Sequence, residues 1–164
     1  MKPAPPTLTQ IALPGIRHVK SGKVRELFDL GDRLLLVATD RISAFDCILP
    51  TGIPHKGRIL NQLSAWWFGQ TSHLIPNHML STSTSSLPAA LKAHERDLRG
   101  RSMIVRKAEV LPVECVARGY LIGSGWKEYR QTGATSGVTL RPGYRMADRL
   151  DAPILTPEIG RAHV

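Results

Sequence analysis

Apolar and polar residues alternate near the start of the chain in a way that predicts two short strands, residues 16–20 and 24–29, flanking Ser21-Gly22. Gly31-Asp32 supplies a turn into a third strand, 33–39, whose LLLVA run is apolar enough for a buried strand. The opening therefore reads as a β-meander. DRISAFDCILP follows as a loop entering a short strand that ends at Pro50, and TGIPHKG is a turn-rich connector. From Arg58 the period changes. Ile59, Leu60, Leu63, Trp66, Trp67 and Leu74 recur at helical spacing, which predicts a helix with that stripe in the core. On this reading Trp66-Trp67 is core packing and not a platform for stacking bases. STSTSS at 81–86 is a polar linker, and LPAALKAHERDL adds a short helix. Residues 102–107 and 113–118 are strands joined at Leu111-Pro112. SGWKEYRQTG forms a short helix capped by Ser124 and closed by Gly133. The remainder, rich in Gly, Pro and Arg, reads as irregular, and no internal repeat is visible.

Composition narrows the function classes. The 164 residues are 42% hydrophobic, enough for an ordinary core. No run of about 18 apolar residues is present, so a transmembrane helix is excluded. The first ten residues, MKPAPPTLTQ, lack the apolar stretch of a secretory signal and read as a loose arm. A cytoplasmic protein with no membrane partner is expected, with Cys47 and Cys115 as reduced thiols in apolar surroundings. The net charge of +9 raises a nucleic-acid partner, but the basic residues are scattered and aromatics are only 5% of the chain. Small phosphate-bearing ligands suit that distribution at least as well. The histidines show no metal-ligand spacing, and no protein-held metal is expected here.

Two stretches carry candidate chemistry. Gly22-Lys23, within KSGKVREL, suits either a phosphate loop or a hairpin turn, and both the P-loop and G-x-G-x-x-G patterns are absent. In VLPVECVARGYLIGSGWKEY, a strand presents Glu114 and then Arg118 before Gly123-Ser124-Gly125 opens a helix. A guanidinium, a hydroxyl and helix N-terminal amides together make a site for a phosphate monoester. The plainer alternative pairs Arg118 with Glu114 and leaves the glycines to the turns.

That second stretch resembles the signature of the SAICAR synthetase (phosphoribosylaminoimidazole-succinocarboxamide synthase) family. Its pattern is two aliphatics, Pro, an aliphatic, Glu, three positions, Arg and then Gly-Ser. Here it stands as Val110-Leu111-Pro112-Val113-Glu114, Arg118 and Gly123-Ser124. SGKVRELFD, ATDRISAFD, IPHKGRILNQLSAWWF and GSGWKEY agree with it in the same order, over residues 16–157. The wording is similar to the yeast-like branch of the family.

The resemblance implies an α+β, SAICAR synthase-like fold. An antiparallel, β-rich ATP-binding lobe, comparable to a kinase N-lobe, would occupy residues 16–118 after an arm at 1–15. The start of a second α/β lobe would occupy 119–157. It implies a ligase of purine biosynthesis. With ATP, such an enzyme joins L-aspartate to an aminoimidazole carboxylate ribonucleotide through an acyl phosphate. Gly22, Lys23, Val24 and Arg25 match the loop over the ATP phosphates, and Arg106, Lys107 and Val110 the adenine segment. Arg118 and Ser124 match the holders of the ribonucleotide phosphate. Asp40, Arg41, Ser43 and Asp46 match a loop facing the imidazole carboxylate and aspartate, and Lys56 belongs to a further matching stretch. The expected partners are small molecules, with ATP and Mg²⁺ as cofactors. The family's Mg²⁺-serving acids belong to an aliphatic-Asp-x-Lys-aliphatic-Glu-Phe-Gly signature that does not occur in this chain. The isolated chain is therefore expected to be poorly soluble and inactive as a ligase.

After Pro157 the sequence leaves the family pattern and reads EIGRAHV. Back-translated as GAG ATC GGA AGA GCA CAC GTC, it spells a common short-read sequencing adapter, so residues 158–164 are expected to be a non-native tail. Two other readings stand beside the ligase: a basic nucleic-acid-binding module, and a kinase-like or other ATP-dependent lobe.

Overall fold

The computed structural model describes residues 5–44 and 47–159 and divides into two compact units, Met1–Glu109 and Val110–Val164. The first unit opens with the predicted meander, β1 (Arg17–Ser21), β2 (Arg25–Asp29) and β3 (Arg33–Ala38). A minimal hairpin, β4 (Ser43–Ala44) and β5 (Cys47–Ile48), precedes the long helix α1 (Lys56–Gln70). Strand β6 (Met79–Ser81), two 3₁₀ turns, the short helix α2 (Glu95–Leu98) and β7 (Ser102–Arg106) complete the unit. Five of these strands form one antiparallel sheet in the order β1-β2-β3-β7-β6.

Register sorts the side chains between the two faces of that sheet. Phe28 lies opposite Leu35, and Leu35 opposite Ile104. With Val37 they form the core face, covered by Leu13, Leu87, Leu91 and Leu98. Leu27, Leu36 and Met103 line up across the other face. Leu36 and Met103 share a pocket there with Asn61 and Phe68 of α1. The arm expected to be loose is tied down over its described part. Leu13 is buried in the core, the Asp40 amide donates to the Leu8 carbonyl, and the Leu8 amide donates to the Asp40 carboxylate.

Helix α1 forms where the periodicity places it, but with the opposite face inward. Its buried residues are Gly57 and Asn61, whose Nδ2 donates to the carbonyls of Gly100 and Ser102 at 3.2 Å each. Ile59, Leu63 and Trp66 are 62%, 50% and 54% exposed, and Trp67 stands beside Trp66 with its ring 4.7 Å away. The expected core role for this stripe is therefore wrong for this chain. A small and a polar residue dock the helix because the end of β3 comes close in backbone at Gly57, while β7 and the turn before it offer carbonyls to Asn61. Ile59→Gln with Leu63→Gln is expected to change unfolding free energy by less than about 0.5 kcal/mol. A core stripe would instead lose about 2–5 kcal/mol. Urea denaturation separates the two, and light scattering should show weaker self-association in the double variant.

Cys47 and Cys115 are both free and exposed, so the expectation that they lie in the core also fails. Each sits on a strand of a two-stranded ribbon, which shields little.

In the second unit, β8 (Val113–Tyr120) leads through α3 (Gly123–Thr132) to a two-residue-strand hairpin, β9 (Ala134–Thr135) and β10 (Val138–Thr139). Strand β11 (Arg149–Ile159) then returns antiparallel to β8, with Ile154 opposite Arg118 and Pro157 opposite Cys115. The segment expected to be irregular is thus partly strand. Its prolines hid it, yet both strands of a two-stranded ribbon are edges, where proline is tolerated. This pairing also draws all of β8 into the second unit, so the division falls before Val110 and not after Arg118. Leu121, Tyr144 and Leu150 form the core, with Trp126 and Tyr129 packed on it. Ser124 is not the cap of α3. Ile122 holds that position without a side-chain bond, while Gly133 closes the helix at φ 72° as expected. Of the EIGRAHV end, Glu158 and Ile159 pair with Glu114 and Val113, and 160–164 lie outside the described residues.

Candidate functional site

The loop at Gly22–Lys23–Val24 joins β1 to β2 and sits beside the N-terminus of α1. Arg25 is exposed at the start of β2, and its charge lowers the pKa of both Lys56 and His78. For Lys56 burial is the larger cause, and Asp40 opposes it. For His78 burial again leads. Two cations held this close repel each other, which favours an anion between or beside them. Lys56 is also the first residue of a four-turn helix, whose dipole adds to the same field.

Asp40 and Arg41 stand behind this surface. Asp40 is completely buried, with its carboxylate accepting the Leu8 amide at 2.7 Å, the Gly57 amide at 2.9 Å and Arg101 Nη2 at 3.0 Å. Burial alone would raise its pKa, but the Arg101, Leu8 and Gly57 donors outweigh that and hold it below the usual range. Asp40 thus caps α1 from a different element. Arg41 is 8% exposed and reaches the Glu26 carboxylate at 2.6 Å and backbone carbonyls of the β1–β2 loop. Burial would likewise raise the Glu26 pKa. Hydrogen bonds from Ser21, His18 and Arg41 outweigh it and keep Glu26 ionised.

At the other end of the sheet, Arg33 pairs in register with Arg106. That end lies roughly 17 Å from the Arg25–Ala38 pair at the usual strand rise. The Arg106 amide donates to the His78 carbonyl at 2.9 Å. Lys107 turns back to Asp29 at 2.7 Å. Hydrogen bonds from Lys107, then Arg17 and the Gly31 amide, hold Asp29 far below the ordinary carboxylate range.

In the second unit, Arg118 Nη2 lies 3.2 Å from Ser124 Oγ at the first turn of α3, and Nε donates to Thr156 Oγ1 at 3.1 Å. Thr156 is buried, and its hydroxyl donates to the Val116 carbonyl. Gly125 is packed against Thr135, whose methyl a Cβ there would meet at 3.1 Å, and lies in ordinary contact with the Arg118 stem at 3.5 Å. A half-buried guanidinium and an exposed hydroxyl are therefore presented together beside free helix amides.

A family model described as SAICAR synthetase matches residues 18–163. The chain belongs to the SAICAR synthetase family. Among curated relatives, the phosphoribosylaminoimidazole-succinocarboxamide synthase of Syntrophotalea carbinolica is 49% identical over 152 residues, covering 93% of this chain and 51% of the relative. That of Geobacter metallireducens is 51% identical over 144 residues, 88% of this chain and 49% of the relative. The chain thus spans about half the length of the curated relatives it matches. The structure of SAICAR synthase from Saccharomyces cerevisiae, complexed with SAICAR, is similar with a TM-score of 0.86 and 37% identity, over 93% of this chain and 54% of that one. A type-2 SAICAR synthetase structure at 21% identity and TM-score 0.64 shares the fold. The α+β fold and SAICAR synthase-like architecture expected from sequence are what these comparisons show.

Against the family's pattern, the structure brings together Gly22, Lys23, Val24, Arg25 and Lys56 in the first unit, and Arg118 with Ser124 in the second. Arg106 and Lys107 lie at the far end of the first sheet. Val110 is exposed at the start of the second unit. Ser43 is half-buried in β4, and Asp46 lies outside the described residues. Asp40 and Arg41, expected to face a substrate, are instead buried and fully engaged by protein groups. Sequence reasoning missed Glu26, Thr39, Arg101 and Thr156. Thr39 was legible in principle, being a polar residue in step with the buried Leu35 and Val37.

Proposed function

We propose that this chain supplies the nucleotide-facing lobe and the ribose-phosphate clamp of a SAICAR synthase. Such an enzyme makes an amide between an aminoimidazole carboxylate ribonucleotide and L-aspartate. The carboxylate oxygen takes the γ-phosphoryl group of ATP and ADP departs. The aspartate amine then attacks the acyl carbon, phosphate leaves and the nitrogen loses a proton. Little of this needs covalent help from protein; it needs anions held close together in fixed places. Arg25 and Lys56, with the β1–β2 loop, suit the polyphosphate. The sheet between that loop and Arg106 is long enough for an extended nucleoside triphosphate.

The observation that carries the reading is Arg118 against Ser124 over Gly125. A phosphate monoester clamp serves a ribonucleotide substrate and has no use in a protein kinase lobe. The type-2 relative is described in complex with ADP, and the yeast structure with SAICAR. No group of three or more His, Cys, Asp or Glu side chains able to hold a metal occurs among the described residues. Asp40 and Glu26 are engaged by buried arginines, so these residues do not make a Mg²⁺ site and no step is assigned through one. Small charged substrates, not nucleic acid, are its partners, and the cytoplasm is where those substrates occur. Among the described residues no helix is long and apolar enough to cross a membrane.

The test is to extend the chain with the further C-terminal length that the curated relatives carry, and to follow ADP release. Release that requires both the ribonucleotide and aspartate supports the proposal. Nucleotide hydrolysis indifferent to both, or salt-sensitive binding of arbitrary oligonucleotides without competition by ATP, overturns it.

A further inference from the structure

We infer that Arg41, assisted by Thr39, is a positioning residue that sets the direction of the peptide groups in the β1–β2 loop. The inference rests on the nucleotide reading above and deepens it. Arg41 and Thr39 between them claim four consecutive carbonyls of the loop. Arg41 Nη2 donates to Gly22 O at 2.8 Å and Nε to Lys23 O at 3.0 Å. The Thr39 amide and hydroxyl both donate to Val24 O at 2.9 Å. Arg25 O accepts from the Gly22 amide at 2.8 Å and from Arg41 Nη2 at 3.3 Å. In a regular strand successive carbonyls alternate sides. Here the bend at residues 22–24 lets three of them, Gly22, Lys23 and Arg25, converge on one guanidinium.

The C=O and N–H of a trans peptide point in opposite directions. Holding the Gly22 and Lys23 carbonyls on the guanidinium therefore turns the amides of Lys23 and Val24 the other way. Arg41 and Glu26 line a groove with Phe28, on the core face of the sheet under the N-terminal arm. Arg25 lines a pocket with Leu36, Ala38 and Met103, on the α1 face. The clamp thus keeps carbonyl oxygens, which repel phosphate, off the α1 face and directs amides toward it.

The remaining donors of Arg41 fix the clamp itself. Nη1 reaches Thr9 O at 2.7 Å and Glu26 Oε1 at 2.6 Å, so all its N–H groups are committed. Glu26 balances the charge, and Ser21 at 2.6 Å and His18 at 2.8 Å hold Glu26 in turn. Lysine, with a compact ammonium and three donors, cannot make this planar fork.

The experiment compares Arg41→Lys with the unsubstituted protein, both carrying the C-terminal extension used above. Steady-state KM is measured separately for ATP, ribonucleotide and aspartate, with thermal midpoints alongside. The expected result is a rise of about tenfold or more in KM for ATP, with the other two within about twofold. Thr39→Val, which removes the hydroxyl bond to Val24 O and the hydroxyl acceptor of the Arg41 amide, is expected to move the same constant by about threefold. It keeps the test alive if Arg41→Lys does not fold. An unchanged KM for ATP in either folded variant, or a parallel rise in all three constants, overturns the inference. An unsubstituted protein that neither binds nor uses ATP sinks the functional reading, and the inference with it.

Discussion

Asp40→Ala will cost about 3–5 kcal/mol of unfolding free energy, most of a marginal domain's stability. The loss arises less from the missing contacts than from what they leave behind. Arg101 is 4% exposed, its Nε already lacks a partner among the described residues, and Asp40 is its paired carboxylate. Removing Asp40 strands that charge and also frees the Leu8 and Gly57 amides. Asp40→Asn keeps the shape but loses the charge, and should fall between wild type and alanine. The pH dependence follows with a definite sign. Both Asp40 and Glu26 are depressed in the folded state. Their contribution is therefore complete above the unfolded carboxylate value, about 4, and is lost as pH falls through the lower folded values. Urea midpoints across that acid range should drop steeply in the wild type and less so in Asp40→Asn. A flat wild-type profile there would contradict the buried-hub account.

Gly57→Ala is expected to lose about 3 kcal/mol or more, although alanine is the better helix former by about 1 kcal/mol. A Cβ at this position would stand 2.2 Å from the Ala38 carbonyl oxygen and 2.8 Å from both the Ala38 carbon and the Thr39 oxygen. All three are backbone atoms, so no rotamer change relieves the contact. The first turn of α1 must lift away from the end of β3, breaking the Gly57–Asp40 bond as it does. Contact therefore outweighs propensity, and chemical denaturation measures the balance. Full retention of stability in Gly57→Ala would mean that α1 docks more loosely than described.

The two sites differ in how readily sequence reveals them. The apolar pattern marks β2 and β3 because one face of that sheet is buried in the chain's own core, while β1, exposed throughout, is marked by the turn that joins it to β2. The Arg118–Ser124 contact was only half legible, because a glycine-bounded turn brings a strand end and a helix start together but spacing alone left Glu114 as an equal partner for Arg118. Hydrophobic period could not reveal which way α1 faces. It finds an apolar stripe, but here Gly57 and Asn61 make the docking face, and the stripe stays in water. Asp40 and Arg41 were misjudged for a related reason. Charged residues in a motif suggest ligand contact, whereas burial depends on Arg101 and Glu26, which lie 61 and 15 residues away along the chain. Strand β11 was hidden because its prolines forbid a central strand, and only the pairing with β8 makes it an edge.

The adjacent indoles on α1 give the protein a built-in optical reporter. Trp66 and Trp67 are two of its three tryptophans, and both are about half exposed, while Trp126 is packed against the core of the other unit. Steady-state emission from this chain should therefore be red-shifted and open to quenching by iodide or acrylamide. A blue shift with loss of quenching would register any surface that comes to cover the helix.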